Sequence, residues 1–253
     1  DATSAVTGVL GYGFGEYEVH PTDVVAFSRE NERPTEAPDV GNPLVTVAGF
    51  NVLNYFITLD DNTPVCGPSA NMDCRGAENA FEFERQRAKV VAALSLLGAD
   101  VVGLVEVENA AGDGPVADLV DGLNDILGAD TYAYIATGAI GTDAIRQALI
   151  YRPDAVTPVG GFETLDSSDD PDFIDTANRP ALAQSFVDGA TGEVFTVAVN
   201  HLKSKGSDCD ALGDPDTGDG QGNCNLTRAA AASALANWLA GDPTGSGSAR
   251  SVI

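Results

Sequence analysis

Glu106 sits in the run VVGLVEV (101–107), where every neighbour is apolar or glycine. A carboxylate buried there without a partner costs on the order of several kcal/mol. The run therefore calls for a partner. One is a hard cation such as Mg²⁺, which takes one or two carboxylates and completes its shell with water and phosphate. An arginine, or an exit to solvent at the strand end, answers the same need, and spacing alone leaves these equal. A second group follows the run 193–199, in the order Asn200, His201, Leu202, Lys203, Ser204, Lys205. His201 is one of two histidines; the other is His20. An imidazole can protonate or orient a phosphate. Taken alone, a hydrogen-bonded structural histidine is the plainer reading. Lys203 and Lys205, two of the three lysines in the chain, point instead to an anion. Asn51 supplies a third polar group, at the end of the run 44–50.

The elements that must carry these residues follow from periodicity. Residues 44–50 read as a strand and 78–97 as a helix, with Phe83, Val90, Val91, Leu94 and Leu97 on one face and Gly98 as its stop. The run 100–107 reads as a buried strand. Residues 115–127 read as a helix with Val116, Leu119, Val120, Leu123, Ile126 and Leu127 facing inward. Residues 132–136 and 145–151 read as strands, and 179–187 and 193–200 as a hairpin across 188–192. Asn225 is expected to cap an alanine-rich helix that reaches Leu239. Ser251 to Ile253 reads as the start of another strand. Chemistry in α/β proteins gathers at strand ends, and all three polar groups fall there.

The first 43 residues differ in texture. Residues 6–19 read as a glycine-rich hairpin, and 28–43 as a charged, proline-rich linker. The expected organisation is the tail of a small β domain (1–27), the linker (28–43) and an α/β domain (44–253). The chain opens at Asp1 rather than Met, which predicts a mature protein or an excised piece.

Thirteen Lys and Arg against 38 Asp and Glu give a net charge of −25. Such a surface repels polyanions and acidic lipids at long range, which excludes binding of nucleic acid by a broad basic face. It suits salty surroundings, where screening acts within ~10 Å or less. No run approaches the ~20 apolar residues of a membrane span. Cys66 with Cys74 and Cys209 with Cys224 flank two polar loops, without the CxxC spacing of zinc or redox sites. Two loop-closing disulfides, and hence an extracellular or cell-surface location, are the simplest reading.

Several stretches, in order, resemble the endonuclease/exonuclease/phosphatase superfamily, and more closely its secreted bacterial nucleases. They are VTVAGFNVLNYF (45–56), CRGAENAFEFERQRAKVVAAL (74–94), ADVVGLVEVEN (99–109), GTDAIRQALIYRP (141–153), NRPALAQSF (178–186), NHLKSKGSDC (200–209) and GQGNCNLTRAAAA (220–232). The resemblance implies an α/β fold of four layers, an α/β/β/α sandwich of DNase type, preceded by a fragment of an upstream β domain. It implies Glu106 as the ligand of Mg²⁺ or Mn²⁺ and Asn51 as a hydrogen-bond donor near metal and phosphate. It implies His201 at the scissile phosphate, with Asp143 as the carboxylate that orients such a histidine. Arg179 is implied to face substrate, and Lys203 to contact phosphate. The family's later Asp-x-Asn and Asp-His pairs do not occur before Ile253. The expectation is thus a fold incomplete at its C-terminus and inactive as it stands.

The function so implied is a secreted, metal-dependent phosphodiesterase. Its expected form is a nuclease of low specificity on DNA or RNA, with no membrane and no protein partner. Two alternatives stand beside it: a phosphomonoesterase or nucleotidase of the same superfamily, and a non-catalytic, calcium-dependent extracellular binding module. The module would use the acidic loop 208–223, which lacks EF-hand spacing and reads more simply as a solvated, disulfide-closed loop than as a structural Ca²⁺ site.

Overall fold

The structure, a computed structural model, describes residues 5–28, 39–248 and 250–253. Most of the expected linker, 29–38, lies outside the described residues. The chain divides into two units, Asp1–Val40 and Gly41–Ile253. In the first, strands β1 (Gly8–Gly13) and β2 (Glu16–Pro21) pair antiparallel. Phe14 and Gly15 join them, both with positive φ (50° and 86°), as a twisted two-residue hairpin turn requires.

The second unit holds two four-stranded sheets. The first sheet comprises β3 (Val47–Tyr55), β4 (Val101–Glu108), β5 (Ala133–Tyr134) and β6 (Ile145–Tyr151), in the order β3-β4-β6-β5. Helices α1 (Ala80–Leu97) and α2 (Gly114–Leu127) cover one of its faces. Val90, Val91 and Leu94 of α1 and Val116, Leu119 and Leu123 of α2 share a core with Val102, Leu104 and Val107 of β4. The second sheet is built from β7 (Val156–Leu165), β8 (Ala181–Asp188), β9 (Val194–Val199) and β10 (Ser251–Val252), in the order β10-β9-β8-β7. Helix α3 (Asn225–Ala240) packs Ala231, Ala234, Leu235 and Leu239 against Ala181, Ala183 and Ala198 of this sheet.

Between the sheets, Val101 and Leu149 meet Leu182, Phe186, Val197 and Val199. The layers therefore run helix, sheet, sheet, helix, which is the sandwich expected from the sequence. Gly103 permits the close approach: a Cβ there would lie 2.8 Å from a methyl carbon of Val199.

Both expected disulfides are formed, Cys66–Cys74 and Cys209–Cys224. Four expectations need correction. Ile126 and Leu127 do not face inward; they are 61% and 42% exposed at the last turn of α2. From the sequence no element is assigned to 156–165, which holds Pro158, Gly160 and Gly161. The segment is β7, an edge strand with a register shift between Val159 and Glu163, where proline and glycine are tolerated. The second strand pair starts at Ala181 rather than 179. Asn225 is the first helical residue, not the cap; Cys224 holds that position in a left-handed conformation without a side-chain cap. Asp214 substitutes for it, accepting the Thr227 N–H at 2.7 Å.

Candidate active site

Strict alternation along β4 would place Glu106 beside Val102 and Leu104, inside the helix-covered core. A bulge prevents this. Leu104 pairs with Ala148 and Val107 with Arg146, so Val105 and Glu106 together oppose Gln147. Glu106 adopts a φ of 68°, and Val107 takes the core position instead. Bulges of this kind re-aim a side chain at a sheet end. The neighbouring strand is irregular at the same level: Asn51 pairs with Val105 and Tyr55 with Val107, leaving residues 52–54 against Glu106.

These two irregularities hold the carboxylate. Asn51 Nδ2 donates to Glu106 Oε1 at 2.9 Å, and the Asn54 N–H donates to Oε2 at 3.1 Å. Asn51 Oδ1 in turn accepts the Leu53 N–H at 2.7 Å. Leu53 and Asn54 both have positive φ, 57° and 50°. Gln86 of α1 supports this turn: its Nε2 donates to the Leu53 carbonyl at 2.7 Å and to that of Val52 at 3.3 Å. Gln86 carries no sequence signature, because its role exists only once α1 lies against the end of β3.

His201 follows β9 and brings Nε2 to 3.8 Å from Glu106 Oε1. Burial lowers its pKa, and the Arg179 charge adds to this; Glu106 and Asp143 pull weakly the other way. The imidazole is therefore neutral at pH 7. Arg179 Nε binds Asp143 Oδ2 at 2.8 Å, and Arg75 Nη2 binds Asp143 Oδ1 at 2.8 Å. Both oxygens of Asp143 are thus held by guanidinium groups, and Asp143 makes no hydrogen bond to His201. Asn51, Glu106, His201, Arg179 and Asp143 form one connected group, to which the structure adds Arg75 and Gln86. Lys203 is placed beside it through its backbone, whose N–H donates to Asn178 Oδ1 at 2.9 Å.

The residues fit a divalent cation. The Glu106 side chain is 19% exposed, and His201, a neutral group, is the sole partner of ion-pair type it has among the described residues. No arginine among them answers its charge. Two further polar groups nearby in the chain or the register are buried and unpartnered: Asn200 Oδ1, next to His201, and the Gln147 amide, opposite the bulge. A carboxylate and amide oxygens suit a hard ion. Among the described residues no cluster of three His, Cys, Asp or Glu side chains forms a metal cage. One carboxylate is what an ion of the Mg²⁺ type needs when water and substrate complete its shell.

No family model and no curated protein matches the chain. Among solved structures, it is similar to a mannosyl-6-phosphatase of Bacteroides thetaiotaomicron, with 15% identity over 80% of this chain and 61% of that one, at a TM-score of 0.46. It is also similar to the catalytic domain of human nocturnin, with 17% identity over 65% and 54% of the two chains and a TM-score of 0.43. A third is the endonuclease/exonuclease/phosphatase from Bacteroides vulgatus, with 19% identity, 63% and 52% coverage and a TM-score of 0.41. The chain thus spans between about half and three-fifths of the length of these structures.

Proposed function

We propose that the protein is an extracellular, divalent-metal-dependent phosphodiesterase that cleaves nucleic acid. The observation that carries this reading is Glu106: a strand-end carboxylate held in place by Asn51 and the Asn54 N–H, with no fixed cation against it among the described residues. Glu106 holds the metal, with Mg²⁺ or Mn²⁺ the ions of matching hardness. When bound, such an ion polarises a phosphoryl oxygen and offsets charge in the transition state.

The remaining work belongs to side chains. Asn51 fixes the Glu106 carboxylate. His201, neutral and half-buried, hydrogen-bonds the scissile phosphate. Arg179 is anchored through Nε by Asp143, so its terminal nitrogens, unpartnered among the described residues, donate to a phosphate oxygen, as guanidinium groups commonly do. Lys203, two residues after His201, is the proposed further phosphate contact. Asp143 serves as a positioning residue for Arg179 and Arg75 rather than for His201. The two disulfides support an oxidising location.

Turnover is measured on the whole gene product, with supercoiled plasmid and single-stranded RNA in Mg²⁺ or Mn²⁺, and with chelator. Cleavage that stops with chelator and falls more than about 100-fold in Glu106→Gln supports the assignment. Hydrolysis of small phosphomonoesters with plasmid and RNA spared contradicts it.

A further inference from the structure

Two cations beside the candidate site, Arg85 and Lys89, remain unused by the proposed mechanism. A cleft of about 400 Å³ is lined by Asn54, Arg75, Arg85, Gln86 and Lys89, so three of the chain's thirteen basic residues meet in one depression. The chain as a whole carries −25, which sets such a concentration apart. Arg85 and Lys89 stand one turn apart on α1, where like charges repel and disfavour the helix unless an anion lies between them. Neither has an ion pair or a side-chain hydrogen bond among the described residues. Glu82 also borders the cleft, but one of its carboxylate oxygens accepts the Glu78 N–H at 3.2 Å, as part of the cap of α1.

The cleft adjoins the candidate active site through two residues. Asn54 lines it and also donates its N–H to Glu106. Arg75 lines it and also borders a second cleft, of about 290 Å³, that contains Asp143 and Arg179. Basic side chains thus run from Lys89 and Arg85 to Arg75 and Arg179, the last two bridged by Asp143.

We infer that the Arg75–Arg85–Lys89 cleft is a subsite for a second phosphate of the substrate strand, away from the bond that is cut. This rests on the phosphodiesterase reading above and narrows it: the substrate is an oligo- or polynucleotide. A sugar phosphate or mononucleotide has no second, spaced phosphodiester to place there. The subsite also resolves the conflict between an acidic surface and a polyanionic substrate. At moderate salt the long-range repulsion is screened, while short-range interactions at Arg85 and Lys89 persist.

The test is equilibrium binding of a fluorescently labelled single-stranded DNA with a hydrolysis-resistant phosphorothioate backbone, in Mg²⁺, followed by anisotropy between about 50 and 200 mM salt. The double variant Arg85→Gln/Lys89→Gln is compared with Arg152→Gln/Arg250→Gln. The latter removes the same charge at the opposite ends of the sheets, beside Asp100 and Glu193. The subsite predicts at least about a tenfold loss of affinity for the α1 pair, with the salt slope reduced by about 0.7, for the one phosphate no longer neutralised. It predicts less than about a twofold change for the remote pair. Equal losses in both variants, no loss in the α1 pair, or no binding by the unmodified protein overturns it. Binding with these signatures in a gene product that cleaves no phosphodiester sinks the catalytic reading and leaves the strand subsite standing.

Discussion

At the scale of single residues, polar side chains in apolar surroundings mark where the fold has been bent to a purpose. Glu106 stands out in the sequence because a carboxylate interrupts an apolar run, and the structure supplies the device that accommodates it. Arg146 gives no comparable signal, yet its side chain is fully buried. It pairs with Asp113 at 2.9 Å and donates to Thr137 Oγ1 at 2.6 Å, while burial pulls its pKa down. Removing the carboxylate strands a buried guanidinium. Asp113→Ala is expected to lower unfolding free energy by about 3–5 kcal/mol in denaturant titration. A loss near that of an exposed pair, under about 1 kcal/mol, contradicts this account of Arg146.

At the scale of elements, what matters is how one segment braces another. Gln86 belongs to α1 but acts on β3, clamping the left-handed turn whose Asn54 N–H meets Glu106. Outer partners of a metal ligand typically contribute 10- to 100-fold to affinity. Gln86→Ala should therefore weaken Mn²⁺ binding by about that factor while leaving the thermal midpoint nearly unchanged. Equal metal affinity in the variant would falsify the positioning role. Helix α3 provides a second case, since Asp214 from the loop caps it in place of Asn225. The hydrogen bond from the Thr227 backbone N–H holds the Asp214 carboxyl below its usual value of 3.8. Its stabilisation is complete above that value and disappears as pH falls through the lower folded value. Asp214→Asn should lower the denaturation midpoint at pH 7 and make little difference in strong acid. A gap that persists at low pH argues against the cap.

Over the whole molecule, the apolar layers are legible in the sequence and the irregularities are not. α1 and β4 follow their periodicity because Val90, Val91 and Leu94, and Val101 to Leu104, are fixed by burial alone. β7 is hidden because an edge strand can carry the proline and glycines that elsewhere end one. Glu106 and His201 announce themselves as polar groups at strand ends; Asn51, expected at the end of a strand over 44–50, lies within β3 instead. Arg75, Arg85 and Gln86 do not, since a cation or amide on a helix or loop surface looks the same in sequence whether it faces water or a site. The acidic composition holds a clue that only the folded chain makes plain: in a protein of charge −25, Arg85 and Lys89, sharing one cleft with no ion pair among the described residues, need a reason.

The proposed chemistry requires Glu106 to hold a divalent ion at the strand end. Calorimetric titration of Mn²⁺ into the 253-residue chain tests it most directly, at salt high enough to screen the 38 acidic side chains. One saturable site is expected in the unaltered protein, weakened more than about 100-fold by Glu106→Gln with the fold intact by circular dichroism. A Glu106→Gln chain that takes up Mn²⁺ as tightly as the original contradicts the account.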